Sequence, residues 1–434
     1  MTRLTDTVRL RLLLVLMAAL QAGFLVVRAR PYGAALHGLL ALLLALTALA
    51  AAGAALVPVS VGERAFAFLL RAAATRARAL CLLVVATLLV GGASVLTQQV
   101  FSWDEQSVLW AADVVAEGGA SGLFARYGEN AWLGPQHPPL VPLLYGAVTA
   151  VFGSHLKLLR LVDLAFGCGT VVVAFLISER LYERRTALVA ALLLLASPLF
   201  VRVASAATND MPLTFFFCLA VLLGLHLERT SRDVVAVALG VVLGLGLLVK
   251  YTMLLVFPVL LALAWVSSSL PLARRHAPVV LAIALAFLLA WLDHAHALGI
   301  LGAQQHRLRR LAGISWRRPG WALDALLTKA PSALGVYTVP WIALGALATL
   351  RRRAVEDVFV LSWIVIVFVP LLLTLPDNRY FLPAFPALAL LGARALVARP
   401  RWAAHVLVLA WLLCAITLAF YANIDLGEKV FLFG

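Results

Sequence analysis

Runs of roughly twenty apolar residues, parted by short polar clusters, recur along the chain, and a run of that length crosses about 30 Å of hydrocarbon. The pattern predicts an all-α polytopic membrane protein of about thirteen spans. They fall near 12–27, 34–57, 79–97, 158–178, 186–203, 211–227, 233–249, 252–268, 278–295, 332–349, 357–374, 380–397 and 403–420. The first follows Arg3, Arg9 and Arg11, as a signal peptide would. No small-residue cleavage site closes it and a second apolar run comes directly after, so it is read as a transmembrane helix.

The polar clusters set the orientation. With a cytoplasmic N-terminus, "ERAFAFLLRAAATRARA", "ERLYERR", "ERTSRD", "ARRH", "RRR" and "ARPR" all fall inside, as the positive-inside rule requires. The outer side then receives the loop 98–157, short turns near 204–210, 250 and 375–379, and the segment 296–331. That last segment carries Arg307, Arg309, Arg310, Arg317 and Arg318 on the non-cytoplasmic face. Such a density suits either anion binding or contact with anionic headgroups. In the loop 98–157, Ser107 to Glu117 has apolar positions at helix spacing and ends in Gly118-Gly119; "LVPLLYGAVTAVFG" follows Pro138-Pro139. These pieces are expected as juxtamembrane helices.

Composition agrees: 64% of residues are hydrophobic and 13% charged, far from the balance of a soluble domain. The net charge of +15 would suggest nucleic acid in a soluble protein. In a membrane protein it is explained by cytoplasmic loops against anionic lipid, and no nucleic-acid partner is expected. Cys81, Cys168, Cys218 and Cys414 lie in apolar runs without metal-like spacing and read as small core hydrophobes.

Candidate chemistry collects at the outer mouths of spans. Asp104 and Glu105 follow the span 79–97. Ser102-x-x-Glu105 has capping-box spacing, which would occupy Glu105 with a backbone amide. Asp104 then falls in the first helical turn, where the dipole favours its ionised form, fit to take a proton from a hydroxyl. Asp210, beside Asn209 and two residues before Pro212, is either a helix-start residue or a second carboxylate of the same site. Together the two could hold a hydroxyl or share a divalent cation. His137 stands before Pro138-Pro139, Lys250 interrupts two apolar runs, and Arg379-Tyr380 opens another span. Arg160 and Asp163 are spaced to pair on one helical face. Carboxylate base plus phosphate-holding cations describes glycosyl transfer from a lipid-phosphate sugar.

The ordered motifs "WDEQSVLWAADVVAEGG", "QHPPLVPLLYGAV", "LLRLVDLAFG", "TNDMPLTFFF", "GLGLLVKYTMLLVFP" and "DNRYFLPAFPALALL" resemble those of the GT-C membrane glycosyltransferases. The likeness is to the bacterial branch with the aminoarabinose transferases of lipid A and the protein O-mannosyltransferases, over roughly residues 80–397. It implies a GT-C-type helical core, a non-cytoplasmic active site in the bacterial inner membrane, a polyprenyl-phosphate sugar donor and inversion at the anomeric carbon. It further implies Asp104 as catalytic base, with Glu105, His137, Asp210, Lys250, Arg379 and Tyr380 binding substrate. Gln136-His137 stands where many relatives have Glu-Lys or Asp-Lys. Two spans precede the family core, and no soluble outer domain follows the last span, so the acceptor hydroxyl is not implied.

The expected organisation is 1–78 as two added helices and a basic loop, 79–295 as the catalytic module, and 296–434 as the outer basic loop with the last helices. A carrier or flippase for polyprenyl-phosphate-linked sugars, or a non-catalytic accessory protein, would share the cations but need no base at Asp104. A carrier would also show paired half-sequences, and none is evident.

Overall fold

The computed structural model describes residues 2–30, 36–98, 103–130, 137–297, 330–374 and 378–422, with positions 299, 302, 320 and 327. The arginines 307–318, Ser102 and Gln136 lie outside the described residues.

Eighteen α-helices are described. In chain order they are α1 (Thr2–Ala29), α2 (His37–Leu56), α3 (Val59–Ala72), α4 (Arg76–Thr97), α5 (Trp103–Arg126) and α6 (Leu140–Phe152). Next come α7 (Leu156–Leu181), α8 (Arg184–Leu195), α9 (Pro198–Ala204), α10 (Asp210–Thr230), α11 (Asp233–Leu247) and α12 (Val256–Val266). The last six are α13 (Leu270–Ala297), α14 (Ala330–Leu334), α15 (Val339–Arg352), α16 (Val355–Thr374), α17 (Phe385–Val397) and α18 (Pro400–Ala422).

Among the described residues, ten helical stretches are long and apolar enough to span a membrane, or eleven with one bent pair. The expected thirteen is therefore not reached. The span at 186–203 is the bent pair: α8 and α9 meet at 73°, where Ser197-Pro198 stops one helix and starts the next. The break is satisfied from outside, Tyr337 donating to the Ala196 carbonyl at 2.9 Å and Ser197 to the Ala333 carbonyl at 3.0 Å. The spans placed at 233–249, 252–268 and 332–349 are interrupted near their ends and leave shorter helices.

Position in the bundle follows from which helices are covered. The segment Asn378–Val397 is 83% buried and α10 is 67% buried, whereas α1 and α2 are under 30% and present rows of exposed leucine and valine as a lipid-facing helix must. Both central segments begin with a charged side chain of the site, Arg379 and Asp210. The added N-terminal helices pack on α18, with Gln21 donating to Thr417 at 2.8 Å in the buried seam. Of the cysteines, Cys218 and Cys414 are buried, but Cys81 is exposed on the outside of α4, so it is not core.

The long loop is helical, but its stretch Asp104–Glu129 is itself long and apolar enough to span, where the sequence pattern places a juxtamembrane helix. α5 starts at Trp103 and breaks at Gly119, whose φ of 65° and ψ of −165° suit only a residue without a Cβ. α6 folds back against α5. At the opposite end of the bundle, Arg394 pairs with the buried Asp357 and lies over the Tyr182 ring at 4.6 Å. Tyr182 donates to Asp357 at 2.7 Å, and burial raises its hydroxyl pKa, which keeps it a donor.

Candidate active site

Four elements that are distant in sequence converge at one end of the central helices. Asp104 and Glu105 occupy the first turn of α5, Asp210 opens α10, Lys250 precedes the 3-10 turn Tyr251–Leu255, and Arg379 and Tyr380 lie in the 3-10 segment Asn378–Ala384. Arg379 bridges the two aspartates: Nη1 pairs with Asp104 Oδ2, and Nε stands 3.8 Å from Asp210 Oδ2. Lys250 Nζ donates to Asp210 Oδ1 at 2.6 Å and sits 4.2 Å from the Tyr380 ring centroid, a cation–π distance. Asp104, Asp210 and Lys250 are each less than a tenth exposed. Two carboxylates and two cations therefore compensate one another in a site partly withdrawn from water.

Glu105 points away from this cluster. Its carboxylate takes both arms of Arg160, Nε to Oε1 at 2.7 Å and Nη2 to Oε2 at 2.9 Å, and accepts the Ala207 amide at 3.1 Å. Arg160 also donates to the Gln98 carbonyl at 2.8 Å. The pair is fully buried and joins α5, α7, the end of α4 and the turn before α10. In this arrangement the Glu105 carboxylate, next in sequence to Asp104, is engaged by Arg160 and the Ala207 amide.

The expected Arg160–Asp163 pair does not form. Asp163 accepts Tyr145 Oη and the Thr208 amide at 2.9 Å, so it too fastens the turn that leads into Asp210. A tertiary partner across helices displaced the nearer partner in sequence, because each buried charge needs full hydrogen bonding. Tyr145→Phe is expected to cost ~1.5–3 kcal/mol, the worth of a hydrogen bond to a carboxylate. Denaturant unfolding of the variant in mixed micelles checks it.

His137 joins the site through Asn209, whose Nδ2 lies 3.0 Å from His137 Nδ1. An amide nitrogen only donates, so that ring nitrogen accepts. The His137 carbonyl receives Tyr127 Oη at 2.6 Å. Asn209 therefore does not cap α10 with its side chain, and Asp210 is held by cations, not used up as a cap.

A divalent cation finds no gathered ligand set: among the described residues no three His, Cys, Asp or Glu side chains come together in a metal-like group. The oxygens of Asp104 and Asp210 face a guanidinium and an ammonium, and no step is assigned to a metal. Sequence reading missed Arg160, Asp163, Tyr145 and Asn209 as parts of one framework. A charge such as Arg160 within an apolar helix is itself a sign of a functional partner.

The family model for dolichyl-phosphate-mannose-protein mannosyltransferases matches residues 136–293, which hold His137, Asp163, Asp210 and Lys250. Over 73% of this chain and 60% of its own, the crystal structure of ArnT from Cupriavidus metallidurans bound to undecaprenyl phosphate superposes with a TM-score of 0.56 at 21% identity. The chain has the GT-C fold. The oligosaccharyltransferase of Archaeoglobus fulgidus shares it more distantly, with a TM-score of 0.52 and 15% identity over 79% of this chain and 56% of its own. Curated relatives include an undecaprenyl phosphate-alpha-4-amino-4-deoxy-L-arabinose arabinosyl transferase of Pseudomonas aeruginosa, 31% identical over 273 residues. Arabinosyl transferase 2 of Pseudomonas fluorescens is 28% identical over 278 residues. Each match covers 58% of this chain and 48% of the relative, so the chain spans about half the length of the curated relatives it matches. The GT-C resemblance carried by the sequence motifs, to the aminoarabinose transferase and protein mannosyltransferase branch, thus holds.

Proposed function

We propose that this chain is an inverting glycosyltransferase of the bacterial inner membrane. It moves a sugar from a polyprenyl-phosphate donor to a hydroxyl of an envelope acceptor, on the non-cytoplasmic side. The observation that carries the reading is the arginine bridge: Arg379 touches Asp104 and faces Asp210, with Lys250 behind. A charge-balanced cluster of this kind is poised for exchange. An incoming phosphate competes for Arg379 and Lys250, and Asp104 loses its partner as the donor gains one.

The step that follows needs only these groups. Asp104 accepts the proton of the acceptor hydroxyl as its oxygen attacks the anomeric carbon. The bond from that carbon to the phosphate oxygen breaks, and polyprenyl phosphate leaves with its charge held by Arg379 and Lys250. Attack opposite the leaving group inverts the configuration. Tyr380 keeps Lys250 in place through its ring.

Arg379→Ala is expected to weaken donor binding ~10- to 100-fold, the loss of one or two charge-assisted hydrogen bonds. Unchanged affinity removes Arg379 from the phosphate site. The reading as a whole is tested by incubating the purified protein with a panel of polyprenyl-phosphate sugars and a cell-envelope extract. Free polyprenyl phosphate together with an acceptor heavier by one sugar supports it. Tight donor binding without product for any donor overturns it in favour of a carrier or accessory protein.

A further inference from the structure

Two glycines decide where α13 stands. A Cβ on Gly240 of α11 would fall 2.9 Å from Ile283, and one on Gly244 would fall 2.6 Å from Phe287, so α13 lies hard against α11. Ile283, Phe287 and Trp291 follow one another at four-residue intervals and so form one row along a face of α13. The first two rest on the glycines. α11 ends at Leu247, and Trp291, one turn further along the row, reaches the turn beyond that end. Its indole Nε1 donates to Tyr251 Oη at 2.9 Å.

Tyr251 is the residue after Lys250. The Lys250 backbone is extended, with φ of −163° and ψ of 139°, and its amide donates to the Gly246 carbonyl at 3.1 Å. The two neighbouring side chains part there: Lys250 runs to Asp210 and the Tyr380 ring, and Tyr251 runs to α13. The buried indole also lies 5.1 Å from the Tyr127 ring centroid. Tyr127 is the residue that donates to the His137 carbonyl, and the Leu140 amide, just beyond, donates to the Leu248 carbonyl at 3.0 Å. One side chain of α13 therefore backs both the turn that carries Lys250 and the turn that carries His137. A buried indole N–H that loses its partner costs the desolvation of the group, so the bond to Tyr251 ties the Lys250 turn to the helix.

We propose that Trp291 is a positioning residue for the donor site: through Tyr251 it fixes where Lys250 presents its ammonium. The inference rests on the reading of Lys250 as a cation that holds the donor phosphate. A lysine carries its charge on a flexible four-carbon stem, so the place where the stem begins limits where the charge can stand. An ammonium already held in place binds a phosphate without first being ordered.

Equilibrium binding of a fluorescent polyprenyl phosphate to the full chain in nanodiscs tests it. Trp291→Phe keeps a ring and removes the N–H, and is expected to weaken binding ~3- to 10-fold, the worth of one neutral hydrogen bond. Tyr251→Phe removes the other half of the same bond and should weaken binding alike, with no further loss in the double variant. Lys250→Ala weakens binding on its own, and on that background Trp291→Phe should change nothing more. A merely structural role would lower affinity on either background. Trp411→Phe, which removes an indole bond to the Leu192 carbonyl between α18 and α8, should leave affinity unmoved. Unchanged affinity in Trp291→Phe, or an equal loss with and without Lys250, overturns the inference alone. Unchanged affinity in Lys250→Ala removes Lys250 from the donor site and overturns the reading on which the inference rests.

Discussion

Asp104→Asn is expected to lower turnover ~10²- to 10⁴-fold, the contribution of a positioned general base, with donor affinity held or increased. The amide keeps the size of the carboxylate but cannot take a proton. It also takes the Asp104 charge away from Arg379, while Asp210 still answers Lys250 and stands 3.8 Å from Arg379. The cluster then holds one carboxylate fewer to compete with an incoming phosphate. A base and a mere scaffold for Arg379 are separated by this pair of readouts. A scaffold variant would lose donor affinity along with turnover, because Arg379 would be misplaced. Single-turnover release of polyprenyl phosphate gives the first quantity, and equilibrium binding of a non-transferable donor analogue the second. Near-normal turnover sinks the assignment of Asp104.

Much of the bundle was legible because a twenty-residue apolar run between arginine clusters has few alternatives. Nine of the ten stretches among the described residues that are long and apolar enough to cross coincide with expected spans; the tenth, Asp104–Glu129, lies in the expected outer loop. Of the expected spans that fell short, three are interrupted near their ends and one, 186–203, is bent. Apolar composition cannot distinguish one crossing helix from two short helices meeting at Ser197-Pro198, since both bury the same residues. The site was legible residue by residue, through charges at the mouths of spans, but not in its pairing. Arg379 meets Asp104 across 275 positions of sequence, and no local pattern encodes that contact. The sequence offers Arg160 a neighbour three residues on, at Asp163, and the folded chain gives it Glu105 instead. Local spacing ranks partners on one helix, whereas burial ranks them by who can complete every hydrogen bond. His137, a lone histidine in sequence, acquires its place only through Asn209.

The second large effect lies in that buried pair. Arg160→Met is expected to destabilise the chain by ~3–5 kcal/mol, since it leaves the Glu105 carboxylate buried without its countercharge. Glu105→Gln in the same background should recover most of the loss, because a neutral amide can still receive the Ala207 amide without a buried charge. The coupling is therefore large and of the sign that marks a direct interaction. Turnover is expected to behave otherwise. Arg160 also holds the Gln98 carbonyl at the end of α4, and its bidentate grip sets where Glu105, and so the adjoining Asp104, stands. The stabilised double variant should bind donor but remain slow, with kcat reduced more than KM is raised. Unfolding free energies of the two singles and the double, measured in the same bicelles, decide the energetic claim. If the double variant is as unstable as the sum of the singles, Glu105 and Arg160 do not act as a pair. If it regains full turnover along with stability, the pair holds the fold together without placing Asp104.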